Sequence, residues 1–226
     1  PPRGDGRHDL TGEWLGMLTR LAQRYRLWLV TPPMLLTLDG CRYLAAAVVS
    51  DAGRICGWQR QTHLPQRLLR RGIVPAEDLA VYGTPAGRVG LILNQDVLYP
   101  EVGRILGLMG ADLLVHLGVW AHNNQASWMA RLWREVQSNQ TFGVESTLVA
   151  GDGSVSARIY APCEMTPQMR GLLAEGEEGR SSQLVVAELD HEARQSVIDR
   201  YPIYRSLNEA LYDRWLLPLY ARKGDA

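Results

Sequence analysis

Lysine is almost missing from this sequence of 226 residues. Lysine and arginine together number 24, and every one of these is arginine except Lys223, which lies close to the end of the chain. Chemistry that depends on a lysine ammonium group inside a pocket needs a lysine in the folded core. The sequence therefore nearly excludes that class of site before any motif is considered.

Two kinds of partner are excluded by further absences. Basic and acidic residues balance at 24 each, and no basic stripe is interleaved with aromatic residues, so we expect no nucleic-acid partner. No apolar run reaches the roughly 18 residues that a membrane span needs, so we expect no membrane partner.

Cysteine is scarce and follows no motif. The three cysteines, Cys41, Cys56 and Cys163, are odd in number and widely spaced. They form neither a disulfide framework nor a CxxC metal pair, and the histidines also lack metal-ligand spacing. The sequence therefore predicts reduced thiols, a cytoplasmic location and no metal or other cofactor.

The length and the 46% of hydrophobic residues suit one large domain over residues 1–226. We expect its core to span about 13–205 and residues 206–226 to form a C-terminal arm. Strand-like runs alternate with helical patterns along the chain, which favours a layered α/β fold with sheets covered by helices.

Individual elements follow from apolar spacing and turn signals. Apolar residues three and four apart from Trp14 to Trp28 predict a helix, and Pro100 and Gly110 mark the start and the end of another. Residues 61–78 are predicted to be an irregular loop with a solvated basic cluster of Arg67, Arg70 and Arg71, and residues 166–182 an exposed loop. The predicted strands are 43–49, 54–58, 79–82, 89–93, 112–117, 141–149, 155–160 and 184–189.

The most specific motif is a strand that ends at a polar turn before a helix. Residues 90–101 are Gly-Leu-Ile-Leu-Asn-Gln-Asp-Val-Leu-Tyr-Pro-Glu, residues 57–64 are Gly-Trp-Gln-Arg-Gln-Thr-His-Leu, and residues 134–144 contain Asn139, Phe142 and Val144. In their chain order of 57–64, 90–101 and 134–144, these segments resemble the nitrilase, or carbon–nitrogen hydrolase, superfamily. The corresponding family segments are Gly-x-x-Ile-Cys-x-Asp-x-x-Phe-Pro-Glu, Tyr-Arg-Lys-x-His-Leu and Arg-Ala-x-Glu-Asn-x-x-Phe-x-Val.

The resemblance, which covers about residues 13–205, implies a fold and an assembly. The implied fold is a four-layer α-β-β-α sandwich, here N-terminally truncated because the opening strand–helix–strand of the family has no counterpart. The resemblance also implies a homodimer or larger homo-oligomer and a small-molecule ligand that is an amide, a nitrile or an acid.

The family chemistry uses a Glu–Lys–Cys triad. The thiolate attacks an amide or nitrile carbon, the glutamate moves protons, and the ammonium group stabilises the developing negative charge. In this sequence Asn94 occupies the cysteine position and Gln61 the lysine position, while the family glutamate is absent from the chain. Asparagine has no thiolate and glutamine has no positive charge, so neither carboxamide can perform the chemistry of the family residue at its position.

The remaining residues of the motif allow either a pocket or a structural role. Asp96 and Glu101 are expected to cap the helix that starts at Pro100 and to pair with arginines such as Arg104. The residues that we expect to line the pocket are His63, Gln95, Asp96 and Trp120.

Three functional hypotheses remain open at this stage. The preferred one is a catalytically inactive member of the superfamily with a scaffold or small-molecule-binding role. The second is a divergent amidase or nitrilase that uses another nucleophile, such as Cys41, Cys56 or Cys163. The third is a structural subunit that pairs with an active paralogue through aromatic and apolar residues of the C-terminal arm, namely Tyr212, Trp215, Leu219 and Tyr220.

Overall fold

The computed structural model describes residues 10–120, 132–150, 153, 155–177, 179–180 and 182–223. Its helices are α1 (Leu10–Tyr25), α2 (Gln66–Leu69), α3 (Pro100–Leu108), α4 (Trp133–Asn139), α5 (His191–Arg200), α6 (Glu209–Leu211) and α7 (Leu217–Lys223). Its strands are β1 (Leu29–Val30), β2 (Met34–Leu38), β3 (Cys41–Val49), β4 (Ile55–Arg60), β5 (Val81–Thr84), β6 (Gly87–Leu93), β7 (Leu113–Trp120), β8 (Phe142–Val149), β9 (Val155–Tyr160) and β10 (Leu172–Glu175).

The smaller sheet, sheet I, is built around β3. Strand β4 pairs along one edge of β3, and β1 and β2 pair one after the other along the opposite edge, all antiparallel. Strand β2 was not predicted, although Asp39 and Gly40 gave the signal. Both have positive φ, at 50° and 78°, between the paired residues Leu38 and Cys41. An Asp-Gly pair between apolar runs is a strong hairpin signal because both positions tolerate this conformation.

The larger sheet, sheet II, has the order β10-β9-β8-β7-β6-β5. Strands β6, β7 and β8 run parallel, and the outer pairings are antiparallel. The parallel strands end together at one edge of the sheet, which is where side chains from neighbouring strands can meet in a site.

The two sheets pack face to face between helices. In β3, Ala46 and Val48 contact the core that includes Val89 and Leu91 of β6, whereas Ala47 and Val49 face α1. Alternate residues of β3 are thus buried on opposite sides. This explains why the run from Ala45 to Val49 is apolar without alternation.

The other face of sheet II is covered by α3 and α4. Ile92 and Leu114 pack there against Val102, Leu106 and Val136. The order of layers is α1, sheet I, sheet II and then α3 with α4. The predicted four-layer α-β-β-α sandwich is confirmed.

Three element predictions were wrong. Residues 61–78 are not all loop, because they contain the short helix α2. Residues 166–182 are not all loop, because Leu172–Glu175 pairs with β9 as the edge strand β10. Residues 184–189 form no strand, and Leu184 and Val186 are 88% and 76% exposed. A short apolar run forms a strand only where a neighbouring strand offers its backbone groups, and β9 offers its edge to residues 172–175 instead. None of the described helices is both long and apolar enough to cross a membrane.

Candidate functional site

Asn94 stands directly after β6, at the turn into α3. Its φ is +49°, a left-handed conformation that asparagine adopts more readily than most residues. Its Oδ1 accepts the backbone N–H of Val119 at 3.1 Å, and its backbone carbonyl lies 3.0 Å from Nε2 of His116. The side chain is therefore held at the carboxyl end of sheet II by the neighbouring strand β7.

Gln61 follows the last residue of β4 and is 1% exposed. Its backbone N–H donates to Leu44 at 2.8 Å, and its carbonyl accepts from Ala76 at 2.9 Å. Its Nε2 donates to the carbonyl of His63 at 2.6 Å. These contacts fix the side chain at the end of sheet I that faces Asn94.

The two carboxamides meet across the sheets. Asn94 Nδ2 donates a hydrogen bond to Gln61 Oε1 at 2.8 Å. The structure thus brings together the two residues that the sequence assigns to the cysteine and lysine positions. They form a neutral pair in which each amide also holds a backbone group.

The pair lies in a cavity of about 440 Å³. Gln95 and Trp120 line this cavity, as does Arg67, which the sequence placed in an exposed loop. Arg67 belongs to the short helix α2, and its position beside the pair could not be read from local pattern. The other described residues that line the cavity are all apolar: Pro33, Leu44, Pro65, Leu68, Val119 and Ala150.

His63 and Asp96 lie next to the cavity and are not among the residues that line it. Asp96 is 2% exposed, and its carboxylate accepts the backbone N–H of Thr62 at 3.2 Å and of His63 at 2.7 Å. The His63 ring stacks on Tyr99, with 3.6 Å between ring centres. The polar groups of Asp96 and His63 thus bond to each other and to their neighbours, and, contrary to the prediction, neither residue borders the cavity.

The expected helix-capping role of Asp96 and Glu101 was wrong. Tyr99 is the N-cap residue of α3, and no side chain caps that end. Glu101 accepts a hydrogen bond from the Tyr220 hydroxyl, and Arg104 donates to the carbonyl of Ser138 at 2.8 Å. The capping prediction failed because the loop after β4 supplies closer donors to Asp96.

A buried ionisable network lies beneath the site and was missed from the sequence. Nδ1 of His116 lies 3.4 Å from Glu145 Oε2, and the same oxygen accepts the backbone N–H of Leu132 at 2.9 Å. Burial alone would raise the pKa of Glu145. The hydrogen bond and charge of His116, the Leu132 amide and the charge of Arg158 outweigh it, and the pKa lies below its ordinary value. The alternation of β8 could have placed Glu145 toward the helices, but nothing local predicts its partner.

The network does not line the cavity. His116 is fully buried, Glu145 is 3% exposed, and neither borders the space beside Asn94. Its contacts hold β7, β8 and the turn at Asn94 in place, so its role is to support the site.

The cysteines lie away from the site. Cys41 and Cys56 are exposed, Cys163 is half-buried, and none lines the cavity. Burial and the nearby Glu164 raise the pKa of the Cys163 thiol, which disfavours the nucleophilic thiolate. Among the residues that the structure describes, no group of His, Cys, Asp or Glu side chains could hold a metal ion.

The family model for carbon-nitrogen hydrolase matches residues 5–197. The chain belongs to the carbon–nitrogen hydrolase family. A Bradyrhizobium diazoefficiens formamidase is 23% identical over 206 residues, which are 89% of this chain and 58% of that protein. The human omega-amidase is 22% identical over 212 residues, which are 90% of this chain and 76% of that protein.

Solved structures of this superfamily share the fold. A carbon-nitrogen hydrolase from Helicobacter pylori superposes with a TM-score of 0.76 at 18% identity, over 92% of this chain and 77% of that chain. A Saccharomyces cerevisiae member of branch 10 of the nitrilase superfamily superposes with a TM-score of 0.68 at 19% identity, over 84% of this chain and 69% of that chain.

A probable nitrilase of Schizosaccharomyces pombe is 30% identical over 86 residues. This chain covers only 31% of that nitrilase and 58% of the formamidase.

Proposed function

We propose that this chain is a catalytically inactive member of the carbon–nitrogen hydrolase family that binds a small molecule. The observation that carries the proposal is the hydrogen bond of 2.8 Å between Asn94 Nδ2 and Gln61 Oε1. A nucleophile and a cation are expected at these two positions, and two neutral amides stand there.

The chemistry of a carboxamide supports an inactive site. An amide nitrogen has no lone pair free for attack, because it is delocalised into the carbonyl, and asparagine has no counterpart of a thiolate. Gln61 can donate a hydrogen bond but carries no charge, and losing one donor of an oxyanion site typically costs about 100–1,000-fold in rate. Among the described residues that line the cavity there is no thiol, lysine or carboxylate.

The proposal is tested by measuring ammonia release from aliphatic amides, nitriles and carbamoyl compounds. We expect the chain to release ammonia no faster than its Asn94→Ala variant. Hydrolysis that is lost in a variant with all three cysteines changed to alanine would overturn the proposal. The same loss in the Asn94→Ala variant would also overturn it, because it would assign the activity to this site.

A divergent hydrolase is the alternative, favoured by the relatives that are named as amidases. It needs a nucleophile other than Asn94, and the described candidates Cys41, Cys56 and Cys163 lie outside the cavity. Peptide mapping after treatment with an electrophilic amide analogue separates the two hypotheses. Protection of one cysteine by a substrate amide would favour the alternative. Labelling of each cysteine according to its solvent exposure alone, with no protection by the amide, would favour the inactive protein.

We also propose that the chain forms a homodimer or larger homo-oligomer through residues 209–223, the C-terminal helical segment. This segment comprises α6, a π-helical turn and α7, and Trp215 and Leu217 on it are 53% and 64% exposed. It lies beside α3, through the hydrogen bond from Tyr220 to Glu101, and Ile105 and Leu108 of α3 are also exposed. Contiguous exposed apolar surface is typical of protein–protein contacts. Pairing with an active paralogue through this surface, and a cytoplasmic location, stay predictions.

A further inference from the structure

We propose that the cavity beside Asn94 and Gln61 binds a small carboxylate, with the Arg67 guanidinium as its charged partner. This inference deepens the proposed function and rests on it, because a site that hydrolysed amides would need to accept a neutral substrate. It narrows the ligand from an amide, nitrile or acid to the acid.

The charge of the cavity lining is the first support. Arg67 is the one ionisable side chain among the described residues that line the cavity, and it makes no ion pair with any described residue. Asp96, an acidic group close behind the wall, is buried and accepts hydrogen bonds from Thr62 and His63. A ligand in the cavity therefore meets a positive charge, with no competing carboxylate among the described residues of the wall.

The orientation of the amide pair is the second support. Asn94 Oδ1 already accepts from the Val119 backbone, and Gln61 Oε1 already accepts from Asn94. A carboxamide nitrogen carries two N–H groups, and the contacts described use one on Asn94 and one on Gln61. The second N–H of each remains for an acceptor, and a carboxylate consists only of acceptors.

The walls of the cavity define the rest of the ligand. Leu44, Leu68, Val119 and Ala150 are apolar, and Trp120 adds an aromatic surface. A cavity of about 440 Å³ with this lining suits a short aliphatic chain that carries the carboxylate at one end. An ionised ligand on a guanidinium also forms stronger hydrogen bonds than a neutral amide forms on the same donors.

Butyrate and butyramide provide a matched pair of probes. They have the same shape and number of heavy atoms, and at neutral pH they differ in charge and in hydrogen-bond donors. We expect calorimetric titration of the wild-type chain to give an affinity for butyrate about tenfold or more above that for butyramide. Equal affinities, tighter binding of butyramide, or binding of neither probe would overturn the carboxylate inference.

Three variants locate the binding. Arg67→Ala should lower the affinity for butyrate about tenfold. Arg70→Ala should leave it unchanged, because Arg70 is the exposed C-cap residue of α2 and does not line the cavity. Asn94→Asp places a like charge beside the bound carboxylate and exchanges a donor for an acceptor. It should abolish butyrate binding and leave butyramide binding equal or tighter. An unchanged affinity for butyrate in Arg67→Ala or Asn94→Asp would overturn the assignment.

The same mixtures separate this inference from the proposed function. At the end of the butyramide titration, the ammonia in the sample is measured. Release of ammonia that Asn94→Ala abolishes would overturn the inactive site itself. Absence of both ammonia release and butyrate binding would overturn the carboxylate ligand and leave the inactive site standing.

Discussion

The Asp96 carboxylate accepts the backbone N–H of His63 at 2.7 Å, and this bond joins the loop after β4 to the turn after β6. Each partner lies two residues beyond a member of the amide pair, since Gln61 precedes His63 and Asn94 precedes Asp96. The tie therefore sets the distance between the ends of sheet I and sheet II at the site. Asp96 is a positioning residue, and it does not line the cavity.

Replacement of Asp96 by alanine should destabilise the fold. The change leaves the backbone N–H groups of Thr62 and His63 without their acceptor, and an unsatisfied buried donor costs about 1–3 kcal/mol. Urea unfolding followed by circular dichroism measures this loss. Asp96→Asn keeps one acceptor oxygen and should fall between alanine and wild type.

The matched control for this change is Asp51→Ala. Asp51 is an exposed acid in the turn between β3 and β4. Its replacement should alter the free energy of unfolding by less than about 0.5 kcal/mol. Equal losses in the two alanine variants would contradict a specific role for the Asp96 tie.

Local pattern in the sequence predicted most of the fold. The β3 run Ala45–Val49 and the helix start at Pro100 are set by neighbours in the chain, and the structure confirms both. Strand β10 was missed because edge pairing with β9 is decided by the partner strand, and residues 184–189 were assigned as a strand for the same reason.

Some residues of the site could be predicted from the sequence and others could not. Asn94 and Gln61 were located by motif spacing, and Gln95 lies beside Asn94 in the same motif. Trp120 lies outside that motif, just beyond the predicted strand 112–117. The contribution of Arg67 depends on how α2 folds over the ends of both sheets, a long-range arrangement that no local spacing encodes. His116 and Glu145 likewise lie on neighbouring strands but are 29 positions apart in the sequence, so no local pattern predicts their pairing.

Restoring the family groups should restore thiol reactivity at the turn after β6. In the double variant Asn94→Cys with Gln61→Lys, an ammonium group is expected near the introduced thiol, because the native side chains meet at 2.8 Å. A nearby lysine lowers the pKa of a thiol and raises its thiolate fraction. Alkylation by iodoacetamide near pH 7, followed by peptide mapping, should be about tenfold faster than in Asn94→Cys alone.

A neutral partner of similar length controls for the loss of Gln61. Asn94→Cys with Gln61→Met removes the native amide without adding charge, so the introduced thiol should react no faster than in Asn94→Cys. If the methionine and lysine variants react at the same rate, the two positions do not meet in solution as they do in the structure.

Two buried glutamates should give stability changes of opposite sign with pH. The folded-state pKa of Glu145 is lowered from 4.5, so its charge stabilises the fold above that value, and the contribution is lost as the pH falls through the folded pKa. Glu145→Gln should therefore be most destabilising near pH 7, and the difference from wild type should shrink near pH 3.5. Urea unfolding at the two pH values measures the change.

Glu135 provides the opposite case. Burial raises its pKa, although Arg134 lowers it in part, so ionisation of Glu135 opposes folding as the pH rises through the folded pKa. Relative to wild type, Glu135→Gln should be more stable near pH 7 than near pH 3.5. A pH dependence of the same sign for both glutamine variants would show that one of these carboxyl groups has a different environment in solution.

Trp215→Glu should dissociate the proposed homo-oligomer. Trp215 lies on the C-terminal helical segment and is 53% exposed in the single chain, so burial in a contact with a second copy would make a charge there costly. Trp14 on α1 offers a matched control, because it is an equally large side chain with 56% exposure on the helix that covers sheet I. Sedimentation velocity should show wild type and Trp14→Glu as the same oligomer and Trp215→Glu as a monomer with an unchanged circular dichroism spectrum. If the wild type is a monomer, the proposed homo-oligomer is wrong. If Trp14→Glu dissociates the oligomer and Trp215→Glu does not, the contact lies on α1 and not on the C-terminal helical segment.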